Sequence, residues 1–475
     1  MKLEWAEVHA GSAGRFEGRQ VEIAGWMIPP DAAARAVDGF LLVAEAPCCG
    51  PGLPQDAQAC VEVRAALPVA VTGRAIVLRG WLRSGGDGPE AWRYRLDGAV
   101  LIDAAPAMPG RRVFLAAGAA LGLAACARGP FASDADAAAP GEAAAPAWQP
   151  APGALTIDMH SHGGRVTVSR DPALGDRRPF LPLAAPMRAG GMQVICLAIV
   201  TDTTVTRVSA NRRSFEPWRK PEPGELHALG QAEFARARAL IAHEKLQVVT
   251  DAASLARLAP AGPSVILAAE GADFLEGRIE RVDEAYTEQQ LRHLQLTHYR
   301  VNELGDIQSE APVHGGLSDF GAAVVRRCNA LGLVVDVAHG TYDLVKRAAA
   351  VSSKPLVLSH TALAAHPGAR SRLVSPDHAR VIAGTGGVIG VWPSAGSFRD
   401  LAGMADGIKR MVDVVGVDHV GLGSDMLGFI SPPVFRSYAQ LPALAQALLA
   451  GGFRPAELDK LLGGNYRRVF EASVG

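Results

Sequence analysis

Apolar runs of strand length recur eight times through the last two thirds of the chain, and strand after strand stops on a histidine or a carboxylate. The runs cover residues 156–160, 193–200, 265–270, 293–298, 333–339, 355–360, 387–392 and 419–425, and a short run at 246–250 leaves the count open by one. Helical patterns at 225–245, 320–331 and 376–383 lie between them. Strands that are apolar throughout need cover on both faces, and alternation with helices supplies it, which is the signature of a parallel α/β architecture. Eight in one domain predict a (β/α)8 TIM-type barrel. A doubly wound sheet is the competing arrangement, but no GxGxxG follows a first strand, so no dinucleotide crevice is expected.

In such a barrel the carboxyl ends of the strands converge on one face, where barrel enzymes carry their active sites. Six ends carry metal-ligand residue types: Asp158-Met159-His160-Ser161-His162, Glu270, His298, His339, His360 and Asp425. His160 and His162 are two apart, so on an extended strand both project from one face and can share an ion. The bland alternative is a pair of surface histidines in a turn before Gly163-Gly164. His339 and His360 end successive strands and form a second pair. Glu270 closes an apolar run, and its two oxygens can bridge two cations, which one imidazole cannot do. Four histidines and a bridging carboxylate suit two zinc ions with a hydroxide held between them.

From about residue 155 the chain resembles the renal or membrane dipeptidase family of zinc peptidases, within the amidohydrolase-type barrels. The strings that carry the resemblance are DMHSHGG, AAEG around Glu270, LQLTHYRVN, GGLSDFGAAVVRRCNALGLVVDVAH, PLVLSH, GGVIGV, DHVGLGSD and GGNYRRVF, in family order. The resemblance implies that His160, His162 and Glu270 hold one zinc, and Glu270, His339 and His360 the other. It further implies that His298 contacts substrate or oxyanion, Arg372 binds a substrate carboxylate and Asp425 handles protons. Arg370, two residues away, is the alternative to Arg372. Two departures bear on substrate identity: the family's His-x-Asp is His160-x-His162 here, which raises the net charge of the site by one, and its Asp-Phe-Asp-Gly is Asp425-Met426-Leu427-Gly428, which removes a carboxylate from the rim. Trp392 lines the pocket or simply packs, and Cys196 and Cys328 read as buried thiols. Asn465 reads as an anchor of the last helix.

Residues 1–107 read as a small β-rich domain, with strand-like runs at 19–26, 39–44, 59–63 and 75–81 separated by Gly, Pro and Asp, favouring a small barrel or sandwich. Cys48, Cys49 and Cys60 lack a histidine cluster and read as free thiols rather than a zinc site. At 108–128 an apolar run, Val113 to Ala127, follows Arg111-Arg112 and ends on Leu123-Ala124-Ala125-Cys126. That pattern reads as an export signal of twin-arginine and lipoprotein type, with Met108 as an alternative start and a buried Ala/Gly-rich helix as the competing reading. An Ala/Pro-rich linker at 129–153 leads to the barrel domain, 154–475. The expected location is therefore a bacterial cell envelope, with the catalytic domain periplasmic or tethered near Arg111–Cys126, and the cytoplasm is the alternative.

The 47 basic and 48 acidic residues nearly cancel, so no nucleic-acid partner is expected, and six cysteines are too few for a disulfide scaffold. The expected activity is hydrolysis of dipeptides or dipeptide-like amides by a two-zinc centre through a metal-bridging hydroxide. Deaminase or lactonase chemistry on the same barrel and a non-catalytic exported peptide-binding protein are the alternatives. The oligomeric state stays open, a homodimer included.

Overall fold

The computed structural model describes residues 1–9, 12–28, 36–44, 60–72, 75–84, 94–104, 148–170, 174–209, 214–258, 262–368, 370–430 and 433–475. They fall into two compact units divided between Pro146 and Ala147. The apolar run 113–127 with its arginine pair and Cys126, the vicinal Cys48 and Cys49, and most of the expected linker lie outside the described residues. Among the described residues no helix is long and apolar enough to cross a membrane.

The first unit is a closed barrel of five strands, β1 (Gln20–Ile28), β2 (Ala36–Val43), β3 (Cys60–Ala70), β4 (Ala75–Ser84) and β5 (Tyr94–Ala104), in the order β1-β2-β3-β5-β4. Only β3 and β5 run parallel. Along β4 every second residue from Ile76 to Leu82 is buried, so Ile76, Leu78 and Leu82 meet Val21, Ile23, Leu42, Val63 and Leu96 inside. Of the two expected forms, barrel and sandwich, it is the barrel. The fifth strand had no counterpart among the expected runs.

The second unit is a mixed α/β fold with a nearly closed barrel of parallel strands. Its strands are β6 (Ile157–Ser161), β7 (Val194–Val200), β8 (Thr206–Val208), β9 (Phe215–Pro217), β10 (Gln247–Val248), β11 (Ser264–Glu270), β12 (His293–Gln295), β13 (Val334–Asp336), β14 (Val357–Thr361), β15 (Val388–Val391) and β16 (Val420–Leu422). The ladder runs β16-β15-β14-β13-β12-β11-β7-β6, every pairing parallel, with β10 added beside β11 and β8–β9 forming a separate hairpin. Each of the eight expected runs overlaps one of these strands, and the ninth, 246–250, covers the two-residue β10.

Helices between the strands start where the sequence supplies caps. Ser318, Thr341, Ser375 and Asp400 each accept a backbone N–H from the first turn of the helices Asp319–Leu331, Tyr342–Val351, Pro376–Gly384 and Leu401–Val415. Gly332, at φ +82°, ends the first of these. Asn465 donates to the Val417 and Val420 carbonyls, fixing the last helix, Asn465–Val474, to the start of β16. Residues 148–153, expected as the end of the linker, lie on this unit: Trp148 packs on its core, and Ala151 donates to Asp459.

No regular ladder joins β6 to β16. That seam is closed past the strand ends by the Ser161–Met426 bridge, with the His162 N–H on the Met426 carbonyl (2.9 Å) and the Asp425 N–H on the His160 carbonyl (3.0 Å). Beneath them the buried Asp158 carboxylate accepts the Ser424 N–H at 2.8 Å, the Ser424 hydroxyl, and the Tyr438 hydroxyl at 2.7 Å.

Candidate metal centre and active site

The strand ends bring seven of the eight expected site residues into one buried cluster. His160 lies in β6 and His162 directly follows its last residue, Glu270 closes β11, and His360 lies in β14; His298, His339 and Asp425 sit three residues beyond the last ladder residues of β12, β13 and β16. All seven side chains are at least nine-tenths buried. The polar ends run past the ladder because a side chain that must reach the centre leaves the regular pleat. His339 (φ +68°) and Asp425 (φ +46°) both take left-handed backbone, a costly conformation for non-glycine residues that concentrates at functional sites.

Glu270 is the hub. Its Oε1 lies 3.5, 3.2 and 3.3 Å from the Nε2 atoms of His160, His339 and His360, and its Oε2 lies 3.1 and 3.3 Å from those of His162 and His298. Opposed imidazoles test whether this donor set suits a cation. His160 and His162 present Nε2 to Nε2 at 3.3 Å, and His339 and His360 do so at 3.0 Å. Two ring nitrogens facing lone pair to lone pair repel unless positive charge lies between them. Their other nitrogens are partly committed elsewhere, His162 Nδ1 to the Ala198 carbonyl (2.8 Å) and His360 Nδ1 to the Ser359 hydroxyl (2.9 Å), as outer partners of metal-binding rings are. The residues fit a metal. By proximity they form three overlapping groups: His160–His162–Asp425, His160–Glu270–His360 and Glu270–His298–His339. This grouping crosses the expected division into two sets of three and adds Asp425 and His298 to the candidate donors.

Electrostatics support the same use. Burial raises the Glu270 carboxyl, but the His298 and His160 rings and the bonds to His160 and His162 hold it well below the usual carboxylate range. Burial, reinforced by the Arg372 charge, keeps His339 well below its ordinary value, and burial with the His160 charge lowers His360. Neutral imidazole is the metal-binding form. Burial acts the same way on His162, but its bonds to Asp425 and Glu270 outweigh that and raise it. Two carboxylates against one ring call for positive charge at that point.

Arg372, the eighth residue, is half-buried at the edge of the cluster. Its Nη1 donates to Gln308 Oε1 (2.5 Å), and its guanidinium lies 5.4 Å from the Trp392 ring centre. Its Nε and Nη2 are buried with no hydrogen-bond partner among the described residues. Arg370 is exposed. Trp392 is buried between the His360 ring (6.0 Å) and Phe429 (5.4 Å), so it belongs to the wall of the site. Cys196 and Cys328 are buried, Cys196 against the Tyr466 hydroxyl at 3.0 Å.

Several buried polar residues near the centre carried no role in the sequence reading. Asp202 pairs with His298, Asp336 with His293, and Asp158 with Ser424 and Tyr438. Asp202 had a legible signal, since it stands two residues past the apolar run 193–200, a seventh strand end with a carboxylate. Glu233, within the helix Glu225–Glu244, is fully buried; its Oε1 accepts the Val168 N–H and its Oε2 has no partner among the described residues.

Residues 184–474 match the family described as membrane dipeptidase, peptidase family M19. His160 and His162 lie ahead of the matched stretch. Over 222 residues the chain is 33% identical to dipeptidase aclJ of Aspergillus oryzae, covering 44% of this chain and 51% of the fungal protein. Over 255 residues it is 28% identical to dipeptidase 3 of Mus musculus, covering 51% and 50%. The chain thus spans about half the length of these curated relatives. Among solved structures, a metallopeptidase from Rhodobacter sphaeroides liganded with a phosphinate mimic of the dipeptide L-Ala-D-Ala superposes with a TM-score of 0.58 at 20% identity, covering 67% of this chain and 99% of that one. That likeness is one of fold.

Proposed function

The chain belongs to the membrane dipeptidase family, peptidase family M19, and from that premise we propose that its second unit is a (β/α)8 barrel hydrolysing dipeptides or dipeptide-like amides at a two-zinc centre. The observation that carries the reading is the Glu270 carboxylate with five imidazole Nε2 atoms within 3.5 Å. His160, His162 and Glu270 would hold one ion, and Glu270, His339 and His360 the other, with Asp425 and His298 at the border of each group. Bound there, the ions would supply Lewis acidity toward the scissile carbonyl and toward an attacking water.

The remaining work falls to the chain's own side chains. His298 Nε2, on the Glu270 side of its ring, stabilises charge developing on the carbonyl oxygen. Asp425, 3.4 Å from His162, takes the proton of the attacking water and returns it to the leaving amine. Arg372, whose Nε and Nη2 have no partner among the described residues, receives the free carboxylate of the substrate in a bidentate fork, which favours dipeptides over longer chains. The Trp392–Phe429 wall and the loss of a rim carboxylate at Leu427 leave room for apolar side chains.

On the same reading, residues 1–107 form a separate domain, the segment from Arg111 to Cys126 exports or tethers the chain in a bacterial envelope, and 129–153 link it to the catalytic domain. The test is metal analysis paired with hydrolysis of a dipeptide library. We expect close to two zinc ions per chain and activity that chelation abolishes and zinc restores. Glu270→Gln should impair both sites, because it is the one shared ligand. A variant with two ions and full activity would overturn the bridging assignment, and a wild-type chain that binds zinc but hydrolyses no dipeptide would overturn the substrate class.

A further inference from the structure

Asp202 is fully buried two residues past β7, yet its carboxylate serves the end of another strand. Its Oδ1 accepts from His298 Nδ1 at 2.8 Å, and its Oδ2 accepts the Tyr299 N–H at 3.1 Å. In the sheet β11 lies between β7 and β12, so the carboxylate reaches across the strand that ends in Glu270. The reach is anchored on both sides. The Thr206 hydroxyl and N–H donate to the Asp202 carbonyl at 2.9 and 3.1 Å, and Thr206 is the first residue of the β8–β9 hairpin. The neighbouring Thr201 hydroxyl donates to the Gly271 carbonyl at 2.8 Å, tying this turn to the residue after Glu270.

A carboxylate only accepts here, so the bond requires a proton on His298 Nδ1, and Nε2 must carry a proton of its own to donate to a carbonyl oxygen. The ring is then held with Nε2 toward the cluster, 3.3 Å from Glu270 Oε2. We infer that Asp202 is a positioning residue for the hydrolysis: it fixes the ring plane and the Nδ1 proton of His298, so that Nε2 is presented where the scissile carbonyl is bound. Outer carboxylates orient imidazoles in this way at metal and acyl-transfer sites. An amide at this position cannot satisfy both partners. With its oxygen on His298 Nδ1, its NH2 opposes the Tyr299 N–H; turned over, it donates to Nδ1 and imposes the other tautomer. The inference rests on the dipeptidase reading, so its test includes a measurement that does not need turnover.

The experiment compares Asp202→Asn, His298→Ala and the double variant in the full chain loaded with zinc. Asp202→Asn should lower kcat about 10–100-fold, the usual cost of removing such a partner, with KM and zinc content near wild type. Adding Asp202→Asn to His298→Ala should cost nothing further, because Asp202 acts through that ring. Nitrogen-15 NMR of labelled histidines should find His298 carrying a proton on Nδ1 in the wild type and losing that state in Asp202→Asn. If the two substitutions multiply, or if the loss of kcat tracks a loss of zinc, the positioning role is overturned. An Nδ1-protonated His298 in a chain that hydrolyses no dipeptide would leave the pairing intact and remove the hydrolytic reading instead.

Discussion

At the scale of single residues, burial decides which groups are chemically unusual, and Glu233 shows it outside the proposed ligand set. Burial pushes its carboxyl up to about 8, against an ordinary value of 4.5, and the Val168 N–H with the Arg236 and His162 charges offsets only part of that. Between those two values the folded chain keeps the proton while the unfolded chain has lost it. The native state then binds more protons, so stability falls as pH rises through this window and stays low above it. At about 1.4 kcal/mol per pKa unit the penalty reaches a few kcal/mol. Glu233→Gln never ionises, so we expect a Tm close to wild type at pH 5 and clearly above it at pH 9. Parallel melting curves across that range would mean that Glu233 is already ionised in the fold. Nothing in the local sequence marks this residue, because a glutamate in the middle of an amphipathic pattern reads as solvated surface. The metal-ligand candidates were legible for the opposite reason: histidines and carboxylates that terminate apolar runs have few structural explanations.

At the scale of elements, the barrel strands were readable because strands buried on both faces are unbroken apolar runs. What was not readable is where the ladder stops. The run 293–298 was expected as one strand, but β12 ends at Gln295, and Thr297 and His298 turn off it toward the centre. Strand β5 escaped notice because Gly98, at φ +58°, interrupts its alternation, and the register against β3 shifts beside it. The closeness of elements also sets what they tolerate. A Cβ on Gly423 would lie 1.7 Å from the Ser359 carbonyl oxygen, so an alanine there must push the end of β16 away from β14. These two ends carry Asp425 and His360. We expect Gly423→Ala to cost on the order of 1–3 kcal/mol, the usual range for overpacking, and to lower zinc retention as well. A calorimetric Tm with metal analysis checks both, and unchanged zinc content would show that the seam yields without moving the ligands.

At the scale of the whole molecule, the chain is two units with separate cores, and each proposed ligand comes from the second. Residues 147–475 expressed alone should therefore fold, bind zinc and keep the kcat and KM of the full chain; a fragment that is soluble but inactive would assign the first unit a part in catalysis. Within the second unit, the bond from Asp158 to Ser424 joins residues 266 apart in sequence, and His162 meets Asp425 across the same join. Time enters through that distance. While the chain is being made, the first pair of histidines is exposed long before the last strand has left the ribosome. On the proposed ligand set every donor has been made once His360 is complete, and Asp425 joins them only when the final strand docks. The join therefore sets when the site becomes competent: on the proposed reading, a chain interrupted before β16 has every proposed ligand and still lacks the carboxylate that moves the proton.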